Sequence, residues 1–173
     1  MRPLVILIMG VSGAGKTTLA EGLAVALHWP FQEGDALHSP ENIAKMSAGI
    51  PLTDADRAPW LDRIAAWIAA RKAAKAGGIV TCSALKRLYR DRLLGPAGMR
   101  GDDVVLVYPR ASETVIAARL AARRGHYMPA SLLASQFATL EPPGSDEAPL
   151  VVDAAQPRAA MLAETLTLLA ART

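Results

Sequence analysis

Cysteine is almost missing from this sequence: Cys82 stands alone among 173 residues. A lone thiol excludes an intrachain disulfide and any cluster held by several thiolates. Histidine is nearly as scarce, with three copies and no pair at ligand spacing, which argues against a histidine metal site. Aromatic residues make up only 5% while alanine is abundant, so helices packed closely on a sheet are expected rather than a β-sandwich. No apolar run approaches the roughly 20 residues of a membrane span. The run Leu4–Met9 is also too short for a signal-peptide core. An excess of one charge is lacking too, with 19 Lys and Arg facing 16 Asp and Glu for a net charge of +3. That mixture reads as an ordinary solvated surface with no nucleic-acid partner, although a mild positive excess suits small anions. The expectation is a cytoplasmic protein without a membrane partner.

What is present is apolar material in short, regular pieces. About half the residues, 51%, are hydrophobic, which argues against disorder and supplies a sizeable core. The length suits one domain over residues 1–173. Strands are expected at Leu4–Met9, Phe31–Asp35, Ile79–Cys82, Val104–Tyr108 and Leu150–Asp153. Helices are expected at Lys16–Leu27, Asp54–Ala76, Lys86–Leu94, Ser112–Ala122, Ser131–Leu140 and Pro157–Ala171. Fully apolar strands alternating with helices indicate an α/β fold, a parallel five-stranded sheet covered on both faces. Gly77-Gly78 and Gly95-Pro96 are read as helix stops, and Glu141–Pro149 as a surface loop before the last strand.

The strongest chemical signal follows the first strand. Gly10-Val11-Ser12-Gly13-Ala14-Gly15-Lys16-Thr17 matches G-x-x-x-x-G-K-[ST], between a buried strand and a helix where such a phosphate cradle belongs. Its glycines let successive N–H groups turn inward at phosphate oxygens, and the following helix adds its positive end. Lys16 is positioned to reach the β- and γ-phosphates of ATP, Thr17 to hold Mg²⁺ through its hydroxyl, and Thr18 to extend the nucleotide contacts. The cradle alone leaves kinases, switches and ATPases open.

An acceptor side is suggested by Glu33-Gly34-Asp35 at the end of the second strand, with His38 beyond. In open α/β sheets ligands sit at the carboxyl ends of strands. Asp35 there can orient a substrate hydroxyl for in-line attack, with Glu33 closer to the metal; the alternative for Asp35 is a helix N-cap. His38 is either a substrate contact or a turn histidine. Arg57 can clamp a carboxylate, or pair locally with Asp54 or Asp56. Lys86, after a short strand, can do the same or be a solvated helix-start lysine. Trp60, Ile64 and Trp67 lie at helical spacing and read as core, and Cys82 as a small buried hydrophobe. Arg119, Arg123 and Arg124 crowd like charges before Gly125, which suits a lid closing over ATP phosphates; the alternative is a solvated basic helix end. Gln136, in Ser135-Gln136-Phe137, is a candidate substrate contact.

Four segments together resemble the gluconokinase family of small P-loop kinases: MGVSGAGKTT, EGDALHSPENIAKMSAGIPLTDADRAPWL, CSALKRLYRDRL and RRGHYMPASLLASQFATLE, followed by LVVDAAQP. The resemblance covers nearly the whole chain. It implies a three-layer α/β/α sandwich like adenylate and shikimate kinases, with a helical lid over about residues 119–140. It implies Mg·ATP-dependent conversion of D-gluconate to 6-phospho-D-gluconate, feeding the pentose phosphate or Entner–Doudoroff pathway, by a homodimer. It also places Arg119 against adenine and Arg123 or Arg124 on phosphate. Glu33 stands where family members often carry Asp, and Arg124 where Lys is also common. A kinase for another hydroxy acid such as shikimate, or a nucleotide-binding regulator, remains the alternative expectation.

Overall fold

The computed structural model describes residues 2–96, 101–122 and 130–172. Its strands are β1 (Val5–Ile8), β2 (Phe31–Gln32), β3 (Gly78–Thr81), β4 (Val104–Arg110) and β5 (Leu150–Asp153). All pair in parallel in the order β2-β3-β1-β4-β5. The helices are α1 (Lys16–Leu27), α2 (Pro40–Ser47), α3 (Asp54–Ala73), α4 (Arg87–Leu94), α5 (Glu113–Ala122), α6 (Ala130–Thr139) and α7 (Arg158–Ala170).

The period-two alternation of β1 creates the three layers. Val5, Leu7 and Met9 pack with Trp60, Leu61, Ile64 and Leu93 from α3 and α4. Leu4, Ile6 and Ile8 face the other way, onto Leu19 and Leu23 of α1 and Met161 and Leu169 of α7. A strand covered on both faces has no polar side, which is why this stretch is continuously apolar. The chain leaves β3 on one side of β1 and returns as β4 on the other. That reversal opens a crevice at the carboxyl end of β1, where the glycine-rich segment begins.

The five-stranded α/β architecture follows the sequence expectation, and three local readings do not. The second strand stops at Gln32, and Gly34–Leu37 form a 3₁₀ turn that carries Asp35. A β-carbon on Gly34 would lie 1.9 Å from the Thr81 carbonyl oxygen, so the chain passes β3 at a distance only glycine allows. The helix α2 was not expected, although Ser39 caps it by accepting from Asn42 N–H at 3.2 Å and Pro40 opens it. The long helix ends at Ala73, and Lys75 rather than a glycine takes the left-handed conformation, with φ 48°. Gly77 and Gly78 instead admit the rings of Trp29 and Trp67, which added β-carbons would meet at 2.3 and 2.7 Å. Gly95 does close α4, with φ 79°.

One buried ion pair fastens the start of α4. Arg90 and Glu147 are each 1% exposed and meet through two bonds of 2.7 Å, a two-pronged contact. The remaining Arg90 nitrogen donates to the carbonyls of Ala84 and Leu85 at 3.1 and 3.2 Å, holding the turn after β3. Ala84 is left-handed there, with φ 44°, a conformation a non-glycine residue keeps only when its surroundings impose it. Replacing Arg90 by Met strands the Glu147 carboxylate, and urea unfolding should show a loss of about 3–5 kcal/mol. The double change Arg90→Met, Glu147→Leu should recover most of it; a single variant as stable as the parent would contradict this role.

Candidate active site

The segment between β1 and α1 is bent by left-handed glycines, Gly13 at φ 82° and Gly15 at φ 88°. Gly13 also lies under α5: a β-carbon there would touch Ile116 and Leu120 at 3.0 Å. Gly10 N–H donates to the Ser83 carbonyl at 3.0 Å, tying the loop to the end of β3. Lys16 folds back so that its ammonium donates to the Val11 carbonyl at 3.0 Å. Burial lowers the Lys16 pKa from its ordinary value, and the nearby Asp35 and Glu33 carboxylates pull it part-way back. A lysine ammonium at a glycine-bent loop that opens a helix suits a polyanion.

Glu33 organises the next layer. One carboxylate oxygen accepts from the Thr17 hydroxyl at 2.7 Å and the other from the Thr81 hydroxyl. Thr81 in turn accepts from Gly34 N–H at 3.2 Å, and the Trp60 indole donates to the Gly34 carbonyl at 2.8 Å. These bonds fix the 3₁₀ turn that carries Asp35. Asp35 is exposed and caps no helix; its charge reaches both Lys16 and His38.

His38 stacks on Trp60 with ring centroids 4.2 Å apart, and its buried Nδ1 has no hydrogen-bond partner. Beyond it lies a cationic cluster at the start of α3. The Thr53–Asp56 capping box, with bonds of 3.1 and 2.9 Å, sets the first turn. Asp54 then accepts from Lys86 at 3.0 and 3.1 Å and from the Tyr89 hydroxyl, with Arg57 4.0 Å away. Those bonds, Tyr89 first and Lys86 next, hold the Asp54 carboxyl below its usual range. Lys86 and Arg57 also lie 5.5 and 5.9 Å from the centroid of the Tyr89 ring. The local ion pair expected as the alternative for Arg57 is therefore present, and Lys86 shares the same carboxylate.

On the other side of the cradle, a cleft is lined by Gly13, Gly15, Thr18, Arg119, Gln156 and Pro157. Arg119 donates to the Gln156 carbonyl at 3.2 Å. Gln156 and Pro157 were not expected from sequence, because nothing in a loop dipeptide signals a distant partner. Gln136 meets the cradle rather than the cationic cluster: its side-chain oxygen accepts from Ser12 N–H at 2.8 Å, and its nitrogen donates to Ser12 Oγ at 3.1 Å. Arg123 and Arg124 lie outside the described residues. Cys82 is buried, and burial pushes its thiol up to about 12, so it is no nucleophile at neutral pH. Trp60 and Ile64 are core residues, as expected.

With these arrangements in view, comparison with known proteins is informative. An AAA domain family model matches residues 5–143. The gluconokinase of Gluconobacter oxydans is 55% identical over 149 residues, covering 85% of this chain and 80% of that protein. The thermoresistant gluconokinase of Escherichia coli is 40% identical over 164 residues, covering 94% and 91%. A crystal structure of a gluconokinase from Sinorhizobium meliloti superposes with a TM-score of 0.86 at 48% identity, covering 98% of this chain and 93% of that one. The Mycobacterium tuberculosis APS kinase shares the fold, with a TM-score of 0.70 at 19% identity.

The His38 environment yields a pH prediction. Burial lowers its pKa from the ordinary 6.5; Asp35 opposes this, while Arg57 and Arg63 reinforce it. A histidine with a depressed folded pKa binds fewer protons than in the unfolded chain. Its contribution is therefore whole above the unfolded pKa and is lost as pH falls towards the folded one. Urea unfolding between about pH 7.5 and about pH 5 should show a shallower loss of stability for His38→Gln than for the parent. Equal slopes would contradict a depressed His38.

Proposed function

The chain belongs to the gluconokinase family, and we propose that it transfers the terminal phosphoryl group of ATP to D-gluconate, giving 6-phospho-D-gluconate and ADP. The observation that carries this reading is a continuous polar strip at one edge of the sheet. Glu33 joins Thr17 of the cradle to the 3₁₀ turn that carries Asp35, and His38, just past that turn, stacks on Trp60 of α3, the helix that carries Arg57. The strip therefore runs from a phosphate cradle, past an exposed carboxylate, to a cluster of two cations. Gluconate has a hydroxyl at one end and a carboxylate at the other, which suits that polarity.

In this reading the backbone N–H groups of Gly10–Thr17 and the Lys16 ammonium hold the ATP phosphates, with Thr18 beside them. Arg119, next to Gln156 and Pro157, covers the base. The Thr17 hydroxyl and Glu33 carboxylate, 2.7 Å apart, are a hard oxygen pair of the kind Mg²⁺ uses together with phosphates and waters. Mg²⁺ there would neutralise charge on the β- and γ-phosphates.

Arg57 and Lys86 turn from Asp54 to the gluconate carboxylate, and His38, stacked on Trp60, contacts the substrate beside them. Asp35 orients the terminal hydroxyl. The oxygen of that gluconate hydroxyl bonds to the γ-phosphorus as the bond from that phosphorus to the ADP oxygen breaks, and the hydroxyl proton passes late to Asp35. Arg123 and Arg124, by family resemblance, spread charge from the moving phosphoryl group and close the site to water. We read the protein as a cytoplasmic homodimer on the same resemblance, with its product entering the pentose phosphate or Entner–Doudoroff pathway. Among the described residues no helix is long and apolar enough to cross a membrane. A kinase for shikimate, or a regulator without an acceptor, is not favoured: the relatives reported at 55% and 40% identity over most of this chain are gluconokinases.

ADP release measured with Mg·ATP across gluconate, shikimate, glycerate and free sugars tests the reading. Gluconate alone should stimulate strongly, and Asp35→Asn should lower kcat about 10²–10⁴-fold with little change in the KM for ATP. Stimulation by another acid, or an Asp35→Asn enzyme with parental kcat, would overturn the substrate or the role of Asp35 respectively.

A further inference from the structure

Gln136 and Glu141 lie on one short run of chain, and each is hydrogen-bonded to a different half of the site. Gln136 holds Ser12 of the cradle through two bonds, 2.8 and 3.1 Å. Two bonds fix the carboxamide in orientation as well as position, so any displacement of Ser12 is felt along α6. At the far end, Glu141 N–H donates to the Leu85 carbonyl at 2.8 Å, and its carboxylate accepts from Arg87 N–H at 2.6 Å. Those two residues flank Lys86, one of the cations proposed for the gluconate carboxylate.

Packing joins the same parts. Val11 and Ala14 of the cradle, Leu85 of the substrate loop and Leu133 of α6 form one buried cluster, with Phe137 and Leu140 against it. Ile116 of α5 completes the cluster, and Leu140 also packs against the core under α3 and α4. The cluster has a cradle wall, a substrate-loop wall and α6 between them, and close-packed groups of this kind transmit displacement rather than absorb it.

We infer that α6 with Leu140 and Glu141 is a tie that couples the nucleotide cradle to the Lys86 loop, so that ATP and gluconate each tighten the binding of the other. Gln136 and Glu141 are positioning residues in this scheme. Gln136 acts through Ser12, and Glu141 acts through Leu85 and Arg87. The two ligands are those of the reading above, and the inference rests on it. Coupling between sites is reciprocal, so the factor must be the same whichever ligand is added first.

Calorimetric titration of gluconate, with and without Mg²⁺ and a non-hydrolysable ATP analogue, measures the factor directly. In the unaltered chain the analogue should tighten gluconate binding about 5-fold or more, within the usual range of coupling between sites. Gln136→Leu, which removes both bonds to Ser12, should bring the factor close to one, and the exposed-site change Glu141→Ala, which removes the bond to Arg87 N–H and keeps the backbone bond to Leu85, should lower it. Glu141→Ala should still bind the analogue by itself as the parent does, which separates lost coupling from lost folding. Full coupling in both variants, or none in the unaltered chain, would overturn the tie. No binding of gluconate to the unaltered chain under either condition would overturn the substrate reading itself.

Discussion

A single carboxylate, that of Glu33, bridges the two strands and the helix on which this site depends. It accepts one hydroxyl from the first turn of α1 and another from the end of β3. Thr81 passes the constraint on to Gly34 N–H, and Trp60 completes it from α3 through the Gly34 carbonyl. Without this junction the 3₁₀ turn would have no fixed relation to the cradle, and Asp35 would not be held where its charge reaches Lys16. The junction permits no side chain at position 34, since a β-carbon would collide with the Thr81 carbonyl. Catalytic geometry is thus set by a polar knot at the carboxyl edge, while the apolar layers beneath keep the strands in register.

The cationic end obeys a different logic. Asp54, Lys86 and Arg87 are exposed or partly so, and ion pairs in such settings add little to stability because water and salt screen them. Their arrangement is therefore poorly explained as a brace for the fold. Asp54 instead holds Lys86 and Tyr89 in place, with Arg57 beside them, ready to exchange one carboxylate for another. The Arg90–Glu147 pair is the opposite case. It is fully enclosed, and it secures the left-handed Ala84 turn that delivers Lys86 to the edge of the sheet. Weak exposed pairs can be rearranged by substrate; the buried one cannot move without cost.

The legible parts of this sequence were those governed by local rules. The phosphate motif set the start of α1 at Lys16, and the apolar runs marked β1, β3 and β4, which are buried along nearly their whole length, while β2 and β5 are partly exposed. Thr17, Asp35 and Lys86 stand out as candidates because strand ends and glycine-rich turns announce themselves by composition, and the structure places all three at the carboxyl edge of the sheet. Readings failed where a distant partner decided the outcome. Gly34 looked like part of a strand, but its approach to Thr81 turns the chain. Gly77 and Gly78 looked like a helix stop, but tryptophan rings 48 and 11 residues away in sequence require them. The contact of Gln136 with Ser12, 124 residues earlier, likewise has no local signal and exists only in the folded chain. The start of α2 was a missed local signal, since Ser39-Pro40-Glu41 has the cap, the proline and the acid of a helix opening.

The direction of the substrate is the point on which the whole account turns. Asp35 is assigned to the hydroxyl that receives phosphate, and Arg57 with Lys86 to the carboxylate at the other end. A crystal structure of the protein with Mg²⁺, a non-hydrolysable ATP analogue and gluconate tests this directly. The account predicts the terminal hydroxyl within about 3 Å of an Asp35 oxygen and in line with the γ-phosphorus, and the carboxylate on Arg57 and Lys86. Gluconate bound in the reverse direction, or away from Asp35, would contradict it.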